Sequence, residues 1–537
     1  MIDKATLNYN KNYYWLIAVA LLLGAVGSRF AFLGYPTLYH GEAEAGQEIA
    51  YFLPCLKELT FLEAMWRLWH LFPINFNPMV TLLPIRVPIA WFLGISEFNL
   101  RLHSAMGGVI SCMLVFWLVR RHSDRKTALI ALSLVVFNPF IIAFNRFTFQ
   151  ESIQITFMLT GLLFVDFHAE RRKIGFLLLS SFCFALSFLI KPNAVIFIAL
   201  ILFLYLLFFK MRVVDIAIVV AGIMGIIICL FIDQLPIFFS SFLNTSSWVS
   251  TGMERSSAFQ TVLFYIKTYI YYFEHVILPL LVCAVLFKKI ENKFFRILLL
   301  FSILYFSILF FQGRTFFRYL QVGIIMVSAA FAYPLSKYTE KKYSYAGMIF
   351  LIIYITWGLF SHGHYISSQY HHIPYKYIRE RVYQLSGSGD ILLYGRNSET
   401  EYYLSPNNNL VFDETLNPCE ETVLLRSEFP EWADKARKIP DSLSQLFVSG
   451  AVNSGDILVV TGMQMSFGEP TPLSLGIRKW GIRFWGIREY GHLLSHVNEF
   501  YEKYNDNALI RQNYELLEKV FLTNNSDKLA ALILRKN

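Results

Sequence analysis

Apolar runs of about 20 residues fill the first two thirds of this chain and constrain its fold more than any other feature. A helix needs about 20 apolar residues to cross a bilayer, and it satisfies its own backbone hydrogen bonds there. Across the 537 residues, 55% are hydrophobic and 16% are charged, against about 25% charged in soluble domains. We therefore predict a polytopic α-helical membrane protein. About eleven spans are expected, near residues 14–34, 101–119, 127–144, 153–167, 174–190, 194–209, 214–232, 264–287, 296–311, 319–336 and 345–361.

Basic residues are concentrated in alternate loops between these runs. The loops lie at 120–126, 168–173, 210–212, 288–296 and 337–342, and Lys4 and Lys11 add charge at the N-terminus. The positive-inside rule predicts that all of them are cytoplasmic, in a plasma or inner membrane. The net charge of +9 could suggest nucleic-acid binding, but basic residues in short loops between apolar runs are typical of membrane orientation, so we exclude nucleic-acid binding.

The segment 78–94 is apolar but contains Pro84, Arg86 and Pro88. An arginine at the centre of a span costs about 3 kcal/mol on insertion scales. We predict a helix that lies in the outer interface or re-enters, within an external loop at 35–100. The later basic loops then stay cytoplasmic, and the C-terminal part of the chain is extracytoplasmic.

This topology predicts that ionisable residues from distant parts of the chain share the external membrane face. The stretch "LYHGEAEAGQEIA" at 38–50 contains His40, Glu42, Glu44 and Glu48, and it follows Arg29 at the end of the first run. The other members of the set are Arg146, Glu151, Lys191, Arg314 and Arg318. Ionisable groups at membrane depth are costly and usually functional, whereas single Lys or Arg residues at helix ends are often interfacial anchors.

Several of these segments resemble the polyprenyl-phosphate-sugar-dependent glycosyltransferases of the GT-C fold, which include protein O-mannosyltransferases and the aminoarabinose transferase of lipid A. The matching stretches run in the same order as in that family. They are "RFAFLGYPTLYHGEAEAGQEIA", "EFNLRLHSAMGGVISCMLVFWLVRR", "FNPFIIAFNRFTFQESI", "LSFLIKPNAVIFIAL" and "RYL" at 318–320. The resemblance covers about residues 14–340. One departure is important: where the family usually has Asp-Glu, this chain has Gly41-Glu42.

The resemblance implies transfer of a sugar from a polyprenyl-phosphate donor to an extracytoplasmic glycan, lipid or protein. Glu42 or Glu44 is expected to act as the catalytic base, with Glu151 orienting the acceptor or sharing a metal. Lys191, Arg314 and Arg318 are expected to bind the donor phosphate, with Arg29 and Arg146 behind them.

Two other functions remain open at this stage. A secondary transporter or lipid flippase would also have many spans and buried charges, although no internal repeat is apparent here. The glycine at position 41 also fits an inactive partner in cell-envelope glycan assembly.

A divalent metal ion is a further candidate, with His40 and Glu48 as ligands beside the other glutamates, because imidazole and carboxylate oxygens suit such ions. A second histidine cluster comprises His362, His364, His371 and His372. No spacing in either group matches an established metal motif, so a solvated cluster is expected for the second group.

Residues 362–537 change in character and form a second predicted domain after a membrane domain at 1–361. "SGDILLYG" at 388–395 and "SGDILVVTG" at 454–462 are near repeats in which a Gly-Asp turn precedes an apolar run, and "KLAALILRK" at 528–536 is a third candidate strand. Short, continuously apolar strands predict a small α/β domain whose sheet is buried on both faces.

Overall fold

The structure is a computed structural model, and it describes most of the helical region and the core of the C-terminal sheet. Besides the single residues 42, 46, 49, 232 and 403, the described residues are 4–34, 59–64, 83–209, 211–230, 277–287, 290–311, 317–338, 344–368, 372–386, 391–394, 454–455, 457–461, 463–465, 491–493, 495–523 and 525–537.

Helices dominate residues 4–386 of the described chain. They are α1 Lys4–Phe30, α2 Leu83–Leu93, α3 Glu97–His122, α4 Arg125–Val136, α5 Pro139–Asn145, α6 Glu151–Arg171, α7 Ile174–Ile190, α8 Ala194–Phe208, α9 Val213–Leu230, α10 Ile277–Val285, α11 Lys293–Phe311, α12 Leu320–Tyr338, α13 Ser344–Ser368 and α14 Tyr375–Ser386, with a 3-10 turn at Phe317–Tyr319 before α12. Most of their buried apolar residues form one large core.

Every predicted span overlaps one of these helices, which confirms the helical membrane architecture. Within the described residues, five helices are long and apolar enough to cross a membrane, or six if the bent pair α4–α5 counts as one span. Helices α7 and α8 are apolar but shorter. The predicted number of eleven spans is therefore not confirmed.

The bend between α4 and α5 measures 61° and has a local cause. Pro139 stands at the first position of α5, and Asn138 before it has an extended ψ of 111°. The proline ring disfavours helical geometry in the preceding residue and supplies no N–H for the helix ladder. The Asn138 side chain accepts a hydrogen bond from the Ile141 N–H and so caps α5.

The segment 78–94 contains the 11-residue helix α2. At 1.5 Å per residue such a helix is about 16 Å long, which is too short to cross a bilayer. Arg86 in this helix is buried and donates to the Thr148 carbonyl at 2.5 Å. The helix therefore packs on the chain between α5 and α6, as the prediction of a non-spanning segment requires.

The described residues in and beside the five basic loops lie at one end of the helix bundle. Arg121 in the first loop is 2.6 Å from Asp166 beside the second loop, and Arg172 and Arg212 both pair with Asp215 at the third. Two further hydrogen bonds connect the remaining loops: Asn292 donates to the His122 carbonyl at 2.5 Å, and Thr127 donates to Ser336 at 2.8 Å. We call this the basic-loop end.

The C-terminal region contains β1 Ile391–Tyr394, β2 Ile457–Thr461, β3 Met463–Met465, β4 Gly491–Leu493, α15 Ser495–Asp506, α16 Ala508–Asn513, β5 Tyr514–Leu522 and β6 Asn525–Lys536. The main sheet has the order β1-β2-β6-β5, with β1 parallel to β2 and the other pairs antiparallel. All three apolar runs predicted as strands are strands.

Alternate residues of β2 point to opposite faces of this sheet, and both faces are buried. Ile457 and Val459 pack with α14, whereas Leu458 and Val460 pack with α15. Gly455 before β2 has φ +93°, which glycine adopts without strain and which fits the predicted turn. The prediction of a small α/β domain with a doubly buried sheet is confirmed.

The first of these faces also packs on one end of the helical region. Its apolar cluster includes Val87 and Ala90 of α2 and Leu100 of α3. Glu97 of α3 adds polar contacts, since it accepts hydrogen bonds from Tyr403 at 3.1 Å and pairs with Lys376 at 2.8 Å. The sheet region therefore packs directly on the helices next to the predicted site.

Candidate functional site

Six chain segments meet at the end of the bundle opposite the basic loops. They are the ends of α1, α5 and α7, the starts of α3 and α6, and the 3-10 turn before α12. This end, which we call the site end, contains all of the predicted site residues that the structure describes: Glu42, Glu151, Lys191, Arg318, Arg29 and Arg146.

Glu151, Lys191 and Arg318 form one buried cluster. Glu151 is the first residue of α6, Lys191 follows α7, and Arg318 lies in the 3-10 turn. The Lys191 ammonium is 2.5 Å from Glu151 Oε1, and Arg318 Nε is 3.2 Å from the same oxygen. The side chains of Glu151 and Lys191 are almost completely buried, and that of Arg318 is 26% exposed. Two cations from distant parts of the sequence therefore share one carboxylate oxygen.

Aromatic rings surround the two cations of this cluster. Lys191 Nζ lies 4.6 Å from the ring centroid of Tyr319, and the Arg318 guanidinium lies 5.0 Å from that of Phe149. A cation over a ring face is attracted electrostatically and keeps its charge in a partly dry environment. The rings therefore help to shield the two positive groups from water beside the Glu151 carboxylate.

Glu42 lies beside this cluster but in a different arrangement. Arg101 forms a bidentate pair with it, with Nε 2.8 Å from Oε1 and Nη2 2.5 Å from Oε2. Its Oε1 also accepts the Thr148 N–H at 2.9 Å, and Arg101 donates to the Leu33 carbonyl. Both carboxylate oxygens of Glu42 thus have partners, and the residue connects the segment after α1 to α3 and to the chain before α6.

Arg29 and Arg146 hold α1 and α5 together. Arg146 donates to the carbonyls of Ser28, Arg29 and Ala31 at 3.2, 3.2 and 2.6 Å. These oxygens lie at the C-terminal end of α1, where carbonyls have no helical partner and a cation is favourable. Arg29 donates to Asn145 Oδ1 at 3.1 Å. In this structure both arginines bind protein groups, and their proposed place behind the phosphate-binding residues stays a prediction.

A close backbone approach makes this arrangement possible. Asn145, which accepts from Arg29, also donates to Ser152 at 2.9 Å, next to Glu151 in the sequence. A Cβ at Gly108 of α3 would lie 2.4 Å from Asn145 Oδ1. The absence of a side chain at this position lets α3 approach the asparagine that connects Arg29 to the start of α6.

Four predicted site residues, Glu44, Arg314, His40 and Glu48, lie outside the described residues. In the described part of the chain, no group of three or more His, Cys, Asp or Glu residues could hold a metal ion. One expectation about histidines is wrong, since His362 is not solvated but buried at the site end. The reason is that α13 extends through Ser368, so His362 packs within the bundle.

Buried polar atoms that lack a hydrogen-bond partner are concentrated at the site end. Almost all buried polar groups in proteins are hydrogen-bonded, so such atoms indicate contact with a ligand or enclosed water. Among the described residues, the site end contributes Arg29 Nη2, Thr148 Oγ1, Glu151 Oε2, both amide atoms of Gln321, and His362 Nε2. The basic-loop end contributes only His168 Nε2, which still lies 3.5 Å from Asp215.

Sequence reasoning did not assign a site role to Arg101 or Gln321. Arg101 stands in the first turns of an apolar span, which is a costly place for a charge and therefore a usable signal. Gln321 directly follows the "RYL" stretch, but an amide within an apolar run gives no hint of its partner. The structure shows the importance of both residues, because their surroundings come from other helices.

Comparisons with known proteins agree with this architecture. Residues 77–233 match the family described as dolichyl-phosphate-mannose-protein mannosyltransferase. No curated protein sequence matches the chain significantly. Among solved structures, ArnT from Cupriavidus metallidurans in the apo state is similar over 90% of this chain and 98% of its own, with a TM-score of 0.52 and 11% identity.

Two further structures are similar. ArnT bound to undecaprenyl phosphate has a TM-score of 0.51 and 12% identity over 89% of this chain and 97% of its own. The oligosaccharyltransferase AglB from Archaeoglobus fulgidus, in complex with an inhibitory peptide and a dolichol-phosphate, has a TM-score of 0.47 and 12% identity over 84% of this chain and 70% of its own. The family match and the ArnT structures confirm the predicted resemblance, and the chain is an integral membrane protein of the GT-C fold.

Proposed function

We propose that this GT-C protein is a membrane glycosyltransferase that moves a sugar from a polyprenyl-phosphate donor to an extracytoplasmic acceptor. The observation that carries the proposal is the buried cluster of Glu151, Lys191 and Arg318. Residues 1–361 would form the catalytic membrane domain, and residues 362–537 an external α/β domain above it. The family match and the solved ArnT complex, whose bound lipid is undecaprenyl phosphate, support a lipid phosphate as the donor group.

The charges of the cluster suit a sugar phosphodiester. Two cations and one carboxylate carry a net charge of +1, which balances the single negative charge of the donor phosphate. When the glycosidic bond breaks, its electron pair goes to the phosphate oxygen and the leaving phosphate gains a second negative charge. Lys191 and Arg318 would stabilise this developing charge more than the ground state, which is the condition for catalysis.

The acceptor oxygen or nitrogen attacks the anomeric carbon, and its proton must pass to a base. Glu42 keeps both oxygens on Arg101 and the Thr148 N–H, so we assign it to holding the first external segment over the site. Glu151 Oε2 has no hydrogen-bond donor among the described residues and can accept that proton. Glu44 is the other candidate, two residues after Glu42 on the same segment. The transferred sugar is a hexose or a pentose, and the acceptor is a glycan, lipid or protein.

Mass spectrometry of lipids that copurify with the protein in mild detergent tests the function directly. We expect a polyprenyl-phosphate sugar, whose mass also identifies the donor. The matched control is the Glu151→Gln/Lys191→Met variant, which removes both charges of the 2.5 Å pair and leaves no buried carboxylate without a cation. It should retain the fold and bind the lipid more weakly. The proposal fails if the wild type neither copurifies with such a lipid nor binds added undecaprenyl phosphate more tightly than the double variant.

The proposed orientation places the site end outside the cytoplasm. In a variant without native cysteines, a cysteine at position 123 or 340 should resist an impermeant thiol reagent in intact cells, and a cysteine at position 400 should react. A cysteine at 148 is a poor probe, because Thr148 is buried and its N–H binds Glu42. Labelling at 123 combined with protection at 400 would reverse the orientation.

A further inference from the structure

Gln321 is a buried amide that makes no hydrogen bond to the residues the structure describes. It is 1% exposed, and neither Oε1 nor Nε2 has a hydrogen-bond partner among the described residues. A glutamine amide can donate twice and accept twice. Since burying an amide without partners destabilises the folded state, a glutamine here needs a reason other than packing.

A second glutamine at the same end shows what the fold does with a structural amide. Gln154 of α6 is equally buried. Its Nε2 donates to the Lys191 carbonyl at 2.7 Å, to Asn193 Oδ1 at 2.8 Å and to the Ser187 carbonyl at 3.3 Å. The two glutamines therefore differ in partners and not in burial, which makes Gln154 a matched reference for Gln321.

The backbone places Gln321 beside the cluster of Glu151, Lys191 and Arg318. Gln321 lies in the first turn of α12, three residues after Arg318, and residues three apart on a helical turn are neighbours about 5–6 Å apart. Further along, α12 packs on α4 through Ser336 and Thr127. Counting 3.6 residues per turn back from Ser336, Gln321 falls about four turns earlier and within about 60° of the same side. This side of α12 faces α4 and then α5, and the chain after α5 contains Phe149 and Glu151.

We propose that the Gln321 amide binds hydroxyl or amino groups of the sugar that is transferred. The inference rests on the proposed function, because it requires a sugar phosphate on Lys191 and Arg318. A sugar is bonded directly to its phosphate, so a neutral group about one helical turn from the phosphate cations stands at the distance of the sugar ring. An amide both donates and accepts, as a pair of ring hydroxyl groups requires. A further cation at this position would bind the phosphate instead and would not distinguish one sugar from another.

The test compares a glycosylated lipid with the bare lipid phosphate. The probes are undecaprenyl phosphate and its mannosyl, glucosyl, galactosyl and 4-amino-4-deoxyarabinosyl derivatives, with binding to the full-length protein measured in detergent. For the derivative that binds best to the wild type, Gln321→Met should weaken binding about 10- to 100-fold, as expected for one or two lost hydrogen bonds. Its affinity for undecaprenyl phosphate should stay the same.

The matched control is Gln154→Met. Gln154 supports the backbone around Lys191, so this substitution should lower the thermal midpoint and affect both lipids by the same factor. The thermal midpoint of Gln321→Met should not fall, because the substitution removes a buried amide without partners and keeps the volume.

The results separate this inference from the proposed function. If the wild type binds none of the lipids, the proposed function fails. If it binds bare undecaprenyl phosphate as tightly as every glycosylated derivative, or if Gln321→Met leaves the ratio of the two affinities unchanged, the sugar contact is wrong although the lipid site stands.

Discussion

The two ends of the helix bundle use the same kinds of residues in opposite ways. At the basic-loop end, buried Asp166 accepts from Arg121 at 2.6 Å and from His122 at 2.7 Å, and Tyr205 lies 3.4 Å away. Asp215 is likewise surrounded by cationic partners. At the site end, buried charges are also paired, but Glu151 Oε2 and the Gln321 amide have no partner among the described residues.

This difference shows that a buried ion pair alone does not identify a functional site. A buried pair with every lone pair satisfied closes a structure and leaves nothing for a ligand to bind. A buried pair with unused capacity costs stability and is retained where a ligand supplies the missing partner. By this criterion we propose that the site end is the functional end and that the Asp166 and Asp215 networks hold the helices together.

The largest expected effect is on catalysis at the site end. Lys191→Met should reduce transfer about 10²- to 10³-fold, the usual cost of losing one group that stabilises developing charge. Transfer per folded molecule is measured with the copurified donor. The control is Arg121→Met at the basic-loop end, which should lower the thermal midpoint and leave turnover per folded molecule close to that of the wild type. Equal losses of turnover in both variants would contradict the distinction between the ends.

The next effect concerns the Glu42–Arg101 pair. Glu42→Gln leaves the Arg101 charge buried without its carboxylate and should destabilise the protein by about 3–5 kcal/mol, measured by unfolding in detergent. Replacing both residues, as in Glu42→Gln/Arg101→Met, should recover much of that loss. If the double variant is stable and active, Glu42 is a positioning residue. A stable but inactive double variant would instead support Glu42 as the base.

A smaller effect is expected for Asp166→Asn at the basic-loop end. The amide keeps the shape but weakens the hydrogen bonds from Arg121 and His122, which should cost about 1–3 kcal/mol of unfolding free energy. Affinity for undecaprenyl phosphate should stay the same, since this residue is far from the cluster around Glu151. A drop in lipid affinity at full stability would mean that the two ends are coupled.

The smallest effect is expected at the contact between the α/β region and α3. Lys376→Ala removes the 2.8 Å pair with Glu97, but the lysine side chain is 64% exposed. Exposed pairs contribute about 0–1 kcal/mol, so the thermal midpoint should hardly change. Tyr403→Phe, which removes a hydrogen bond to Glu97 in the buried part of this contact, should have the larger effect. The reverse order would show that the exposed Lys376–Glu97 pair, and not the buried Tyr403 hydrogen bond, holds the α/β region against α3.

Much of the fold was predictable, because its signals are local. An apolar run of about 20 residues predicts a helix without knowledge of its neighbours, and every predicted span overlaps a helix. The strands Ile391–Tyr394, Ile457–Thr461 and Asn525–Lys536 follow from short apolar runs after turn residues. The predicted number of spans is not confirmed. The bend at Pro139 and the short helices α7 and α8 change how far each apolar run can reach across a membrane.

The residue types and their order were determined by the sequence alone, because basic loops and carboxylates are read directly along the chain. The side of the membrane on which they lie stays a prediction. The pairing of those groups was decided only by the tertiary structure. Glu42 meets Arg101, and Glu151 meets Lys191 and Arg318, through helices far apart in sequence. A hydrogen bond depends on distances of about 3 Å between atoms, and such distances between distant segments exist only after the helices have packed. For the same reason, only the tertiary structure shows that the Gln321 amide has no hydrogen-bond partner among the described residues.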